Sequence, residues 1–173
     1  MFKLEYHILI NESPKVVWAF VANMPVSMTC HRLRRRFQWI NGAKPEEGAR
    51  YIVELELLGL SFRQEGRVVI WEPPHQLAMA QWAPRHPRRG YSYQRRLSVH
   101  PVEGRPQAAI LRLAILGSLR PWLVERILKQ FVRRGMLDHL EVLKRAIEST
   151  DKYGRAQMKS ARRLAEVPAV GAG

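Results

Sequence analysis

The residues best suited to chemistry are a histidine and two tyrosines in otherwise apolar segments. His139 lies in a long run with helical spacing, where it can serve as a general base or as a hydrogen-bond donor to a ligand. Tyr91 and Tyr93 alternate with Ser92 and Gln94, so one face of a strand carries two phenols able to orient a polar group. Each residue also fits a structural role, as a satisfied buried histidine or as core aromatics with hydroxyls at the rim. His139 is therefore a candidate acid–base residue, and no catalytic residue is assigned.

Other reaction chemistries find little support in the sequence. The six histidines are scattered and no C-x-x-C or H-E-x-x-H spacing occurs, so we predict no metal site. Neither a glycine-rich phosphate loop nor a G-x-S-x-G nucleophile elbow is present, and we predict no cofactor. Cys30 is the only cysteine, which excludes an intrachain disulfide. Beside His31 it suggests a nucleophile or a ligand, but a small half-buried side chain is the favoured interpretation.

A long amphipathic helix is predicted over residues 121–148. Its apolar residues recur at i, i+4 and i+7, which gives one broad buried stripe. Pro121 suits the first turn, where its missing N–H would have no partner within the helix. Gly135 lies in this stripe, where a glycine leaves room for a ligand or for a close aromatic ring such as Trp82. The stripe contains Val124, Leu128, Phe131, Val132, Met136, His139, Leu140, Leu143 and Ile147.

The segments before this helix alternate in polarity and predict strands. The predicted strands cover 2–10, 33–40, 50–58, 61–71, 76–82, 91–100 and 107–116. Ser13 and Pro14 are typical of a helix start directly after the first strand. Short connections between consecutive strands indicate an antiparallel meander. We therefore predict an α+β fold, with one or two short helices after the first strand and a curved sheet of about six or seven strands wrapped around the long C-terminal helix.

Length and composition fit one folded domain. The chain has 173 residues, of which 46% are hydrophobic, and we place the domain at residues 1–148 with a basic, flexible tail at 149–173. No apolar run is long enough to span a bilayer, and the N-terminal segment lacks the apolar core of a secretion signal. The sequence therefore predicts a cytoplasmic protein.

The charge balance favours anionic partners. The chain contains 29 Lys and Arg residues and 15 Asp and Glu residues, which gives a net charge of +14. Such an excess suits an anionic membrane surface, nucleic acid or an acidic ligand, while a solvated basic surface is the default interpretation. No helix with side chains suited to reading base edges is evident, so nucleic acid is not favoured.

Four short segments occur in a characteristic order along the chain. They are Ser13-Pro14-Lys15-Val16-Val17-Trp18, the stretch from Pro45 to Tyr51, the stretch from Gly66 to Leu77 with its Pro73-Pro74 pair, and the stretch from Leu137 to Ile147. Together they resemble the START-like superfamily, also called SRPBCC or polyketide cyclase/dehydrase-like proteins. The resemblance covers about residues 2–148. It implies a helix-grip fold with a deep apolar cavity between the sheet and the long helix.

Binding of a small molecule in that cavity is the function that the resemblance implies. The expected ligand is hydrophobic, lipid or polyketide-like, and its polar group can be anionic. One alternative is a cyclase/dehydratase-type enzyme that uses an acid–base residue of the pocket, and a second is a basic accessory protein that binds nucleic acid or anionic membrane. The superfamily does not fix an activity, so these alternatives stay open. The predicted ligand-binding residues are Trp39, Tyr51, Trp71, Trp82, Tyr91, Tyr93, Leu128, Phe131, Val132, Gly135 and His139.

Overall fold

The segments of alternating polarity form strands. The structure, a computed structural model, describes residues 2–30, 34–42, 44–57, 60–82, 92–118, 129–130 and 132–149. Its elements are β1 (Phe2–Ile10), α1 (Pro14–Ala22), α2 (Met24–Thr29), β2 (Arg34–Trp39), a 3-10 turn (Ile40–Gly42), β3 (Arg50–Leu57), β4 (Leu60–Glu72), β5 (Gln76–Trp82), β6 (Ser92–Val102) and β7 (Arg105–Ser118). A C-terminal helix, α3, covers residues 132–149, and residues 129–130 are also helical.

The strands form one antiparallel sheet of seven strands in the order β1-β7-β6-β5-β4-β3-β2. From β2 to β7 each strand pairs with the next, because the connections are too short for a parallel crossover. The first strand pairs instead with the last, with Phe2 opposite Gly117 and Ile10 opposite Ala109. The predicted α+β architecture and its curved antiparallel sheet are confirmed.

Two short helices follow β1, as the sequence predicts. Ser13 caps α1 by accepting a hydrogen bond at its Oγ from the Val16 N–H, at 3.4 Å, and Pro14 occupies the first turn. Trp18 is among the buried residues of α1. The Ser27 hydroxyl of α2 donates to the Val21 carbonyl at 3.0 Å, which joins the two helices.

The described part of α3 is unbroken and amphipathic. Its buried residues are Met136, His139, Leu140, Leu143 and Ile147. Near its C-terminal end, the backbone N–H and the side-chain Nδ2 of Asn11 both donate to Glu148 Oε1, at 2.8 and 3.1 Å. This contact fixes the end of the helix beside the end of β1. Of the predicted helical span, residues 121–128 and 131 lie outside the described residues.

The core lies on one face of the sheet, which we call the concave face. In β5 it carries Leu77, Met79 and Gln81, each no more than 1% exposed. The intervening positions of β5, such as Trp82, belong to the opposite, convex face. Buried side chains of α1, α2 and α3 join the concave-face residues in one core. Among the residues described, no helix is both long and apolar enough to cross a membrane.

A β-bulge changes the facing of side chains within β4. The pairing of β4 with β5 shifts between Val68 and Ile70. Val68 lies opposite Met79 before the shift, and Trp71 lies opposite Leu77 after it. Although their positions differ by an odd number, Val68 and Trp71 therefore both belong to the concave face.

Candidate functional site

The strand register places a set of aromatic and polar residues in one row across the concave face. Directly paired residues on neighbouring antiparallel strands share a face of the sheet. We call this set the Gln81 row. It consists of Tyr51 on β3, Gly66 on β4, Gln81 on β5, Tyr93 on β6, Gly117 on β7 and Phe2 on β1.

Two aromatic rings of the row lie over glycines of the neighbouring strand. A Cβ atom added to Gly66 would lie 2.3 Å from Tyr51 Cζ, and one added to Gly117 would lie 2.7 Å from two ring carbons of Phe2. Both distances are far below a van der Waals contact, so the rings occupy the space that a side chain would fill. The glycines therefore let Tyr51 and Phe2 lie flat on the concave face.

Tyr51 is held in this position by other aromatic rings. It is fully buried, stacks on Phe37 with ring centroids 5.1 Å apart, and meets Trp39 edge-on at 6.1 Å. Phe37 and Trp39 also meet edge-on, with centroids 5.0 Å apart. Edge-on and stacked rings at these separations attract one another beyond simple area burial. The Tyr51 ring is thus held in place by Phe37 and Trp39 and forms an aromatic surface at one end of the Gln81 row.

Gln81 lies between Tyr51 and Tyr93 at the centre of the row. Its side chain is 1% exposed, and neither atom of its amide has a hydrogen-bond partner among the residues that the structure describes. The Tyr93 hydroxyl donates to Gln64 Oε1 at 3.3 Å. Because β5 lies between the strands that carry Tyr93 and Gln64, this bond crosses β5 beside Gln81. The amide of Gln81 is therefore enclosed by polar and aromatic groups without bonding to them.

An arginine occupies the next row of the concave face. Arg95 pairs with Met79 on one side and Ile115 on the other, and it is 2% exposed. Its Nη1 donates to the Met28 sulfur at 3.8 Å. We call Gln64, Gln81, Tyr93 and Arg95 the concave polar group. Its four members fall within two residues of the Gln81 row along their strands.

The histidine of α3 lies on the buried side of the helix. His139 is 2% exposed and adjoins the buried residues Met136 and Leu140. Gly135 lies about one turn before His139, and Val132 lies about two turns before it. Gly135 and Val132 are both half-buried. A buried imidazole on this side of α3 can donate to or accept from a polar atom within the core.

The fold of the chain has counterparts among solved structures. A START superfamily protein from Mycobacterium smegmatis matches 85% of this chain and 97% of its own, with a TM-score of 0.65 and 12% identity. The chain has the helix-grip fold of START-like proteins. A norcoclaurine synthase point mutant from Thalictrum flavum, in complex with a transition-state analogue, matches 87% of this chain and 96% of its own, with a TM-score of 0.66 and 9% identity.

A third protein with the helix-grip fold is the di-domain ARO/CYC BexL from the BE-7585A biosynthetic pathway. It matches 87% of this chain with a TM-score of 0.64 and 16% identity, and the match covers 48% of BexL. No protein-family model matches the sequence, and no curated protein matches it. At these identities the comparisons establish the fold alone.

The helix-grip fold brings several of the predicted ligand-binding residues together. Register and ring contacts place Trp39, Tyr51, Trp71 and Tyr93 on the concave face, where Trp71 lies 5.7 Å from the Trp18 ring of α1. The predicted residues Val132, Gly135 and His139 are half-buried or buried in α3. The predicted residues Tyr91, Leu128 and Phe131 lie outside the described residues.

Trp82 does not join this set. It follows Gln81 in β5 and pairs with Glu65 on β4, so its position belongs to the convex face. Its indole is half-buried there. We correct its assignment on this ground, because adjacent residues of a strand point to opposite faces.

Sequence reasoning did not select Gln64, Gln81 or Arg95. All three are at most 2% exposed, although glutamine and arginine are usually exposed. The signal that identifies Gln81 is alternation in β5, where Leu77 and Met79 set the phase. Gln64 and Arg95 are identified only once the register is known. Among the described residues, no group of three or more His, Cys, Asp or Glu is placed to hold a metal ion.

Cys30 ends α2 and is half-buried. Burial raises the pKa of its thiol, so the reactive thiolate is scarce at neutral pH. We expect Cys30 of the folded protein to react with a disulfide reagent such as dithionitrobenzoate more slowly than free cysteine. The rate should approach that of free cysteine once guanidinium unfolds the chain. A folded-state rate equal to that of free cysteine would contradict this expectation.

Proposed function

We propose that the protein binds a hydrophobic small molecule between the concave face and α3. The observation that carries the proposal is the concave polar group, in which Gln64, Gln81 and Arg95 are buried and Tyr93 is half-buried, on a face of the sheet that is mainly apolar. Ligand pockets combine apolar walls with a few polar groups that fix the orientation of the ligand. A ligand pocket therefore accounts for the polar side chains on the concave face.

Energetics supports this interpretation. Moving an amide out of water without a compensating hydrogen bond costs free energy, on the order of 1–3 kcal/mol in proteins. A purely structural core avoids that cost with apolar side chains of similar size. Gln81 is 1% exposed and its amide has no partner in the described ranges, so its burial lowers the stability of the fold with no hydrogen bond there to offset the loss. A polar group of a bound ligand would supply the missing hydrogen bonds.

The aromatic walls suit an apolar ligand. Tyr51 lies flat over Gly66 and Phe2 lies flat over Gly117, which leaves Gln81 and Tyr93 between two rings. Flat aromatic surfaces bury large apolar areas and also accommodate ring systems. This supports a lipid or polyketide-like molecule as ligand class, and the helix-grip fold of the START superfamily protein and the ARO/CYC protein is consistent with it.

The test compares two leucine substitutions on α3. Gly135→Leu adds a side chain at a half-buried position one turn from His139, and Arg134→Leu adds an apolar side chain at an exposed position of the same turn. We expect Gly135→Leu to weaken the binding of the neutral dye Nile red about tenfold, with the melting temperature within about 2 °C of the wild type. Binding is measured by fluorescence titration.

Arg134→Leu should leave dye binding unchanged, because its side chain faces solvent. Absence of dye binding to the wild type would overturn the proposed function. A large fall in the melting temperature of Gly135→Leu with dye binding retained would show that Gly135 packs against the core and borders no ligand space.

A further inference from the structure

We infer that the ligand presents to Gln81 a neutral group with a hydrogen-bond donor beside an acceptor, as in a carboxamide or a lactam. The inference rests on the proposed function and narrows its ligand class. The Gln81 amide offers one acceptor oxygen and an NH₂ donor, and both lack partners within the described part of the chain. A planar group with an adjacent N–H and C=O satisfies both at once.

The groups around Gln81 do not compete for its amide. The Tyr93 hydroxyl donates to Gln64 Oε1 on the far side of β5, at 3.3 Å. On the other side, the Tyr51 ring covers Gly66, which is paired directly with Gln81. The amide therefore lies between an aromatic ring and an existing hydrogen bond, and neither of them is bonded to its donor or its acceptor.

The inference holds for either orientation of the amide. The oxygen and nitrogen of a glutamine side chain are assigned from the hydrogen-bond network, which here does not include Gln81. Exchanging the two atoms only reverses the order of donor and acceptor. A carboxamide turned over by a half-rotation matches the reversed order equally well.

A neutral group fits Gln81 better than an ionised carboxylate. A carboxylate has acceptors only, so it pairs with the amide NH₂ but faces the amide oxygen with a second oxygen. An ester or a tertiary amide has no donor and likewise leaves the Gln81 oxygen without a partner. A buried polar atom without a hydrogen bond weakens binding. Anionic ligands, which the sequence alone leaves open, are thus disfavoured at this position.

The body of the ligand meets an apolar surface. Met79 lies two residues before Gln81 on the same face, and Val68 lies opposite Met79. Both are fully buried. An aliphatic or ring-shaped body next to the carboxamide therefore finds apolar contacts on the concave face.

The experiment measures displacement of Nile red from the full chain by three compounds of equal chain length. These are dodecanamide, N,N-dimethyldodecanamide and dodecanoate. We expect dodecanamide to displace the dye roughly tenfold better than the other two, because it alone offers both a donor and an acceptor. In Gln81→Leu the preference should disappear, so that the three compounds displace the dye equally well when each is compared with that variant's own affinity for the dye.

Gln94→Leu is the matched control. It removes the same amide from the neighbouring strand, but Gln94 pairs with Ala80 and belongs to the convex face. The preference for dodecanamide should persist in this variant. The dimethyl group is equally bulky for the wild type and for Gln81→Leu. A preference that is lost in Gln81→Leu therefore arises from hydrogen bonds to Gln81 and not from the size of the dimethyl group.

A second readout is the melting temperature of the protein without ligand. Gln81→Leu should raise it, because the variant removes a buried amide that has no partner. If Gln81→Leu does not fold, Gln81→Met replaces it, with the same expected outcomes. Equal displacement by the three compounds in the wild type, or a preference that persists in Gln81→Leu, would overturn the inference alone. Absence of dye binding to the wild type would overturn the proposed function as well.

Discussion

Replacing Leu143 with alanine is expected to destabilise the fold by about 2–5 kcal/mol. Leu143 is fully buried in α3, together with Leu140 and Ile147. Shortening it removes apolar contacts and leaves a cavity, because the surrounding core relaxes only in part. The free energy of unfolding is measured by guanidinium denaturation followed by circular dichroism.

Leu137→Ala is the matched control on the same helix. Leu137 is 41% exposed, so its truncation should change the free energy of unfolding by no more than about 0.5 kcal/mol. Equal effects at Leu143 and Leu137 would contradict the packing of α3 against the sheet. The difference in the free energy of unfolding between the two variants therefore measures how much the packing of α3 against the sheet contributes to stability.

Gly66→Ala is expected to destabilise the protein by about 1–3 kcal/mol although it adds a single methyl group. The new Cβ would lie 2.3 Å from Tyr51 Cζ, so the ring must move. Phe37 and Trp39 pack against that ring, and its burial is complete. Movement of Tyr51 therefore disturbs the entire aromatic cluster, and the loss is measured by guanidinium denaturation.

Gly117→Ala provides the comparison for this prediction. Its Cβ would meet the ring of Phe2, which stands at the beginning of β1 and is 6% exposed. The ring of Phe2 is less completely buried than that of Tyr51, so it moves more easily and the loss should be smaller than for Gly66→Ala. Combining Gly66→Ala with Tyr51→Leu should cost less than the sum of the two single changes, because the clash is gone. Additive losses would refute the close contact.

Most of the fold follows from local patterns in the sequence. The alternation from Phe2 to Ile10 predicts β1 with the observed bounds, since each side chain there meets either the core or solvent. Ser13 and Pro14 predict the start of α1, because capping chemistry is local. The spacing from Val132 to Ile147 predicts the described part of α3. The order of β2 to β7 follows from the short connections between consecutive strands, whereas the pairing of β1 with β7 does not.

The site was harder to predict because it depends on register across strands. Regular alternation in β4 places Val68 and Ile70 on one face, whereas the bulge between them sends Ile70 to the convex face and brings Trp71 to the concave face. The large apolar side chain of Trp82 favours a ligand contact, but Trp82 is offset by one residue from Gln81 and therefore lies on the opposite face of the sheet. Residue type does not indicate Gln81 as a site residue, because buried glutamines are uncommon.

The pairing of the first strand with the last also governs when the sheet can be completed during synthesis. β1 has Ile10 opposite Ala109 and Phe2 opposite Gly117, so its strand partner is translated far later than β1 itself. At roughly 5–20 residues per second, about 100 residues take on the order of 5–20 s to emerge. During that interval the backbone N–H and C=O groups of β1 lack the strand with which they pair in the folded protein. Folding on the ribosome must therefore wait for β7 before the two ends of the domain can close.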